Sequence, residues 1–167
     1  YLGFCIHQCL QSLFVTLKDK LQIKWTNDII YSGYKLGGIL CHYYQDRRMY
    51  IAGVGINTNN EIDSELGKFG AICLKDILGF EVSNKELCRL IIKTVEDNCV
   101  FMDEQSSYLN YCNDYLFGKG RIALLETGGT NLEAEIIEID ESGALLTRNE
   151  KGELITVHTG SILKFLN

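Results

Sequence analysis

Apolar residues recur at helical spacing through Ile6, Leu10, Leu13 and Leu17, and the charged run Lys18-Asp19-Lys20 follows them. That pattern predicts a helix over about residues 4–18. From Ile23 the period shortens. Ile23-Lys24-Trp25-Thr26-Asn27-Asp28-Ile29-Ile30-Tyr31 reads as a strand, Ser32-Gly33 as a polar turn and Tyr34-Lys35-Leu36-Gly37-Gly38-Ile39-Leu40 as a returning strand. The expected unit is a β-hairpin, because Gly33 accepts a positive φ cheaply. A second glycine-marked strand follows at Ile51-Ala52-Gly53-Val54-Gly55-Ile56-Asn57. Further on, helices are expected from Ser64 to Leu78, ended by Gly79, from the Ser83-Asn84-Lys85-Glu86 capping box onward, and from Tyr108 to Phe117. In the second of these runs Leu87, Leu90, Ile91, Thr94 and Val95, then Phe101 or Met102, carry the buried face.

Beyond Gly118-Lys119-Gly120 the pattern changes again. Arg121–Leu125, Leu132–Ile139, Ala144–Thr147, Glu153–Val157 and Ser161–Phe165 are short apolar runs separated by Gly-bearing turns. Five such runs predict a small, SH3-like β-barrel. The fold class expected is therefore α+β: a mixed sheet with packed helices over residues 1–117, then the barrel over 118–167.

Composition narrows the function classes. The chain has 167 residues, 46% of them hydrophobic, enough for one core and a small satellite domain. No apolar run approaches the ~20 residues of a membrane span. Seven cysteines, Cys5, Cys9, Cys41, Cys73, Cys88, Cys99 and Cys112, are scattered without a Cys-x-x-Cys pair, which suits reduced thiols in a cytoplasmic protein. Cys5, His7 and Cys9 cluster in sequence, but only the two cysteines share a helix face, and core packing is the expected role. A formal net charge of −6 disfavours nonspecific nucleic-acid binding, and Arg47-Arg48 reads as a solvated hairpin tip.

The hairpin carries the candidate chemistry. Lys24 and Lys35 beside Asn27-Asp28 would suit an anion together with a metal-bound phosphate. Gly37 and Gly38 leave no side chain between the backbone and a flat ligand, and Gly53 and Gly55 could supply the other wall. The alternative is two solvated lysines on an ordinary sheet, with glycines marking bulges.

Three linked segments resemble the signature of the biotin protein ligases, that is, biotin–[acetyl-CoA carboxylase] ligases: Lys24-Trp25-Thr26-Asn27-Asp28, then Tyr34-Lys35-Leu36-Gly37-Gly38-Ile39-Leu40, then Gly53-Val54-Gly55-Ile56-Asn57. Thr26 stands where the family has proline, and Tyr34 where it has arginine. Ile139-Asp140-Glu141-Ser142-Gly143-Ala144-Leu145-Leu146 resembles a hairpin of the family's C-terminal domain. The resemblance implies a class II synthetase-like catalytic domain that joins biotin and ATP, with Mg²⁺, into biotinyl-5′-AMP. Biotin then passes to a lysine of a biotin carboxyl carrier protein domain of a biotin-dependent carboxylase.

Carried over position by position, Lys35 is the catalytic residue and touches biotin's carboxylate. Gly38, Leu40, Gly53 and Gly55 match biotin-binding positions. Lys24, Trp25, Asn27, Asp28 and Asn57 match the ATP side, and Asn27 and Asp28 are the residues that could reach Mg²⁺. Homodimerisation is left open by the sequence. The resemblance also implies an upstream Gly-Arg-Gly-Arg-x-Gly-Arg loop over the adenylate. None of the five arginines, Arg47, Arg48, Arg89, Arg121 and Arg148, lies in such a loop, and the chain opens on Tyr1, so an N-terminally incomplete catalytic domain is expected. Two other readings stay open: a lipoate or octanoate ligase on the same fold, and a remnant that only docks the carrier.

Overall fold

The computed structural model describes residues 1–62, 70–102 and 105–166. Its elements run in chain order as helix α1 (Leu2–Leu13), strands β1 (Leu21–Lys24), β2 (Asp28–Tyr31), β3 (Tyr34–Tyr44) and β4 (Met49–Ile56), helices α2 (Leu74–Leu78), α3 (Asn84–Asp97) and α4 (Gln105–Asp114), then strands β5 (Ile122–Thr127), β6 (Thr130–Ile139), β7 (Leu145–Arg148), β8 (Leu154–Val157) and β9 (Ser161–Phe165). The first four strands form one sheet in the order β1-β2-β3-β4, and the last five form a second in the order β8-β7-β6-β5-β9. The α+β class is therefore as the hydrophobic pattern implied. The sheet expected to be mixed has antiparallel β2/β3 and β3/β4 ladders, and parallel pairing appears as two isolated bridges, Ile23↔Leu116 and Lys35↔Ala71.

Two compact units divide the chain: Leu2–Gln22 with Asn27–Cys99, and Ile23–Thr26 with the residues from Val100 on. In the first unit α1 buries Phe4, Cys5, Ile6, His7, Cys9 and Leu10, and a 3₁₀ turn at Val15–Leu17 buries Leu17. The long helix expected over 4–18 is thus broken after Leu13, which is left 37% exposed. Its core is completed by Leu21, Ile29, Leu36 and Leu74, all essentially without solvent access. The strand expected from Ile23 to Tyr31 is also broken, by a turn at Trp25–Asn27, so β1 and β2 are separate. Ser32 and Gly33, both at positive φ, close the β2–β3 hairpin as a two-residue turn between Tyr31 and Tyr34. Positive φ at both central residues matches the right-handed twist of the flanking strands. At the far end of β3, Gln45–Arg47 and Arg48 make the solvated tip that the arginine pair implied.

Helix α3 begins on Ser83, whose hydroxyl accepts from the Glu86 N–H at 3.4 Å. Glu86 itself pairs with the Arg89 guanidinium at 2.6 Å. The expected capping box is therefore half made. Leu87 is buried, Leu90, Ile91, Thr94, Val95 and Phe101 are intermediate, and Met102 is exposed. Asn98 Nδ2 donates to Gln8 Oε1 at 3.0 Å and ties the end of α3 to α1. Of the helix expected over Ser64–Leu78, α2 is seen, capped by Gly79 in the left-handed region; residues 70–73 are turn, bridge and irregular chain instead, and residues 64–69 lie outside the described residues. The helix expected over Tyr108–Phe117 runs instead from Gln105 to Asp114.

In the second unit β5 to β9 bury Ala123, Leu125, Ala134, Ile136, Leu145, Thr147, Val157 and Ile162. The strands fall where the alternation put them, within two residues at each end. Among the described residues β8 and β9 are the edges of this sheet, so closure into an SH3-like barrel is not part of the pairing. Asn113 brackets Ile139 with two bonds, donating to its carbonyl at 2.9 Å and accepting from its N–H at 2.7 Å. Trp25, only 3% exposed, donates its indole N–H to the Gly143 carbonyl at 3.1 Å. Ile23 is bonded on both sides of its peptide to this unit, to Tyr115 O at 2.9 Å and from Phe117 N at 2.8 Å.

No helix among the described residues is long and apolar enough to cross a membrane. Cys5, His7 and Cys9 lie in the α1 core, where His7 Nε2 donates to the Leu21 carbonyl at 2.9 Å. A carbonyl only accepts, so Nε2 carries the proton. Burial pushes this imidazole below its ordinary pKa, against a smaller opposing effect of the Leu21 bond. The unfolded chain therefore takes up a proton near pH 6.5 that the fold refuses, and stability falls as pH drops below that value. Urea unfolding at pH 7 and pH 5 checks this: the midpoint should fall more steeply in the native chain than in His7→Gln.

Candidate functional site

Asn27, Asp28, Lys35, Gly38, Ile39, Leu40, Gly53, Val54 and Gly55 line a groove of about 460 Å³ in the first unit. It spans three adjacent strands. Asp28 of β2 lies opposite Gly38 of β3, which lies opposite Gly55 of β4; two pairs further on, Leu40 faces Gly53. The floor is thus almost bare backbone, and Leu40, 74% exposed, stands up beside it.

Lys35 reaches this floor through an irregularity in β3. In a regular strand, residues an odd number apart point to opposite faces, so Lys35 and Gly38 would be separated. The register between β2 and β3 slips between Ile29 and Ile30, pairing Ile29 with Gly37 but Ile30 with Lys35. The extra residue on β3, Leu36, turns inward and is fully buried. Such a bulge shifts the phase of the strand. Lys35 and Gly38 consequently share a face: a Cβ built on Gly38 would lie 3.3 Å from both Lys35 Cε and Nζ, and 3.1 Å from Asp28 Oδ1.

Lys35 Nζ and Asp28 Oδ1 are 2.6 Å apart, directly over the space that a side chain at Gly38 would fill. The lysine side chain is 52% exposed and the aspartate 19%. An ion pair so open to water is worth only about 0–1 kcal/mol. An incoming carboxylate or phosphate can therefore take the ammonium from Asp28 at little cost. Asp28 and Lys35 are the charged residues of the groove lining, and the rest is neutral. The arrangement suits an elongated ligand with one anionic group at Lys35 and a flat, largely apolar body over the glycines.

The glycines do different work. At Gly37 a Cβ would sit 2.6 Å from the Gly55 carbonyl oxygen, so this residue lets β3 and β4 approach. At Gly55 a Cβ would meet nothing within 4 Å, and at Gly53 only the Leu40 carbonyl at 3.9 Å. Those two positions keep space open above the sheet.

The structure brings Asn27, Asp28, Lys35, Gly38, Leu40, Gly53 and Gly55 to one groove. Asn27 extends the sheet, its carbonyl accepting from Ile39 N at 2.8 Å and its side-chain amide donating to the Ile39 carbonyl. Asn57 is not in the lining. Its side-chain amide donates to two backbone carbonyls, that of Lys35 near the start of β3 and that of Ile72. Lys24 and Trp25 go with the second unit, and the Trp25 ring is in its core. Ile39 and Val54, which line the groove, were not singled out in the sequence; the β3/β4 register that pairs them was the missing signal. Among the described residues no three His, Cys, Asp or Glu side chains gather as a metal site.

Residues 8–59, which hold all of this groove, match the sequence profile of the biotin/lipoate A/B protein ligase family. Over 45 residues the chain is 46% identical to biotin–protein ligase 2 of Arabidopsis thaliana, a stretch that spans 26% of this chain and 14% of that protein. Its fold is that of the biotin protein ligases. The Aquifex aeolicus biotin protein ligase solved in complex with biotin and ATP superposes with a TM-score of 0.82 at 23% identity, covering 96% of this chain and 67% of that one. The Leishmania major biotin protein ligase solved in complex with biotinyl-5-AMP gives 0.53 at 19% identity, covering 95% and 69%.

The two kinds of glycine should separate in mutants. Gly37→Ala forces β3 from β4 and should lose about 1–3 kcal/mol in urea unfolding. Gly55→Ala, which meets open space, should stay within about 0.5 kcal/mol of the native chain.

Proposed function

We propose that this chain is the catalytic part and C-terminal domain of a biotin–[acetyl-CoA carboxylase] ligase, with residues 1–117 catalytic and 118–167 the C-terminal domain. The observation that carries the reading is the Lys35–Asp28 pair seated over Gly38 in a glycine-floored groove, within the family-matched segment. In the first step an oxygen of biotin's carboxylate bonds to the α-phosphorus of ATP. The bridging P–O bond breaks, and pyrophosphate leaves with its electron pair. In the second, the amine of a carrier lysine bonds to the acyl carbon, loses a proton, and AMP departs.

Both substrates of the first step are anionic, so fixed positive charge is needed where they meet. Lys35 supplies it. Its ammonium leaves Asp28 for the biotin carboxylate and follows the charge as it moves to the adenylate oxygens. The neutral floor of Gly38, Gly53 and Gly55, with Leu40 beside it, takes the ring system. Asn27 and Asp28 lie at the charged end, on the ATP side. A single carboxylate in the lining fits a Mg²⁺ ion that arrives with the nucleotide and takes most of its ligands from phosphate and water. Such an ion would offset phosphate charge.

The acceptor is a biotin carboxyl carrier domain of a carboxylase, and the compartment is the cytoplasm. All seven cysteines are free thiols, which accords with a reducing compartment.

Biotin-dependent exchange of labelled pyrophosphate into ATP tests the reading. Lys35→Ala should slow it by about 10²–10³-fold, the loss seen when one preorganised charge-stabilising donor is removed. Gly38→Val should abolish biotin binding while leaving the net charge unchanged. Exchange supported by lipoate more strongly than by biotin would overturn the substrate assignment, and an unaffected Lys35→Ala would overturn the site.

A further inference from the structure

Between β1, which ends at Lys24, and β2, which begins at Asp28, the chain passes from one unit to the other: Ile23–Thr26 go with the C-terminal strands, and Asn27 and Asp28 with the groove. The near side of this turn is held at two points. Ile23 is bonded through its backbone, donating to Tyr115 O and accepting from Phe117 N. Two residues on, Trp25 is bonded through its side chain. An indole has one N–H and no acceptor, and that N–H goes to the Gly143 carbonyl at 3.1 Å.

The Gly143 carbonyl is aimed by Asp140. Asp140 Oδ1 accepts from the Ser142 N–H at 2.8 Å, from the Ser142 hydroxyl at 2.6 Å and from the Ala144 N–H at 3.0 Å. Its backbone closes the same turn, the N–H donating to Ala144 O at 2.9 Å and the carbonyl accepting from Gly143 N at 2.9 Å. Gly143 takes the left-handed conformation this requires, at a φ of 83°. The Ala144 N–H and the Gly143 carbonyl belong to one trans peptide, so they point in opposite directions. With the N–H held by the carboxylate, the carbonyl faces Trp25. A charged acceptor on the N–H also polarises the peptide and strengthens the bond its oxygen receives.

We infer that Asp140 is a positioning residue for the charged end of the groove: through the Gly143–Ala144 peptide it fixes Trp25, and with Trp25 the turn that presents Asn27 and Asp28. The functional consequence rests on the proposed reading of the groove. Thr26 is the one residue between Trp25 and Asn27, so the chain leaves little slack to absorb a loosened indole. The Asn27 carbonyl accepts from Ile39 N at 2.8 Å, which makes the Ile39 amide a reporter of the turn inside the groove unit.

Two measurements on the 167-residue chain test this, with Asp140→Ala, which removes the carboxylate, Trp25→Phe, which keeps a ring and removes the donor, and Asp140→Asn, which keeps an acceptor oxygen. Amide hydrogen exchange needs no ligand. Ile39 should exchange about fivefold faster in Asp140→Ala and in Trp25→Phe, the effect of losing one net hydrogen bond, and at close to the native rate in Asp140→Asn. The Leu74 amide, bonded to Asn57 O in the same unit, should not change. Unchanged exchange at Ile39 would overturn the inference, and so would equal acceleration at Leu74, which would mean general loss of stability. The two variants sit at opposite ends of the relay, so if one fails to fold the other decides. Calorimetric titration with a non-hydrolysable biotinyl-adenylate analogue gives the second measurement. Affinity should fall about fivefold in each single variant and no further in the double, because both act through one bond. Losses that add would overturn the relay, and faster exchange at Ile39 with unchanged affinity would overturn its role at the groove. A native chain that does not bind the analogue would refute the reading of the groove, while exchange at Ile39 would still decide whether Asp140 holds the turn.

Discussion

The site depends on one extra residue in one strand. A lysine and a glycine three positions apart cannot share a face of a regular β-strand, and here they do because Leu36 is bulged inward. Burying Leu36 gives the bulge its stability, since the leucine joins the same core as Ile29 and Leu74. The apolar core and the charged site are thus fixed by a single backbone event. What is gained on the core face as a packed leucine appears on the groove face as a placed ammonium.

Around that event, the sheet is arranged so that little else competes for the space. Three strands contribute a carboxylate and two glycines side by side, and the ion pair that occupies the gap is weak enough to be exchanged for a ligand's anion. Were the pair buried, separating it would leave an uncompensated charge and cost several times more. Partial exposure is what allows Lys35 to be held in readiness and still be released.

Much of this was legible in the sequence, and the exceptions have physical reasons. The hairpin, its Ser32-Gly33 turn and all five C-terminal strands follow from local period and turn chemistry, which act over a few residues. Lys35, Gly38, Gly53 and Gly55 could be placed in one neighbourhood because linked motifs marked them. The bulge could not be foreseen, since a one-residue slip is decided by which face the core demands, a tertiary matter. The half-made capping box has a local cause of a different kind: Arg89, one turn on, competes for the Glu86 carboxylate and wins it from the Ser83 N–H. Trp25 shows the limit most clearly. Its place in the motif suggested a ligand contact, but its ring is buried and its N–H bonded to a turn more than a hundred residues away, a partnership that no local pattern encodes.

That placement of Trp25 has an experimental consequence. It is the sole tryptophan of the chain, and it belongs to the unit that holds the C-terminal strands. Intrinsic tryptophan emission therefore watches one unit and is blind to direct melting of the other, whereas far-ultraviolet dichroism sums the helices and strands of both. Superimposable transitions by the two probes would make the chain one cooperative body. An emission curve displaced from the dichroism curve would give the groove-bearing unit a stability of its own, measurable by subtraction and without a label.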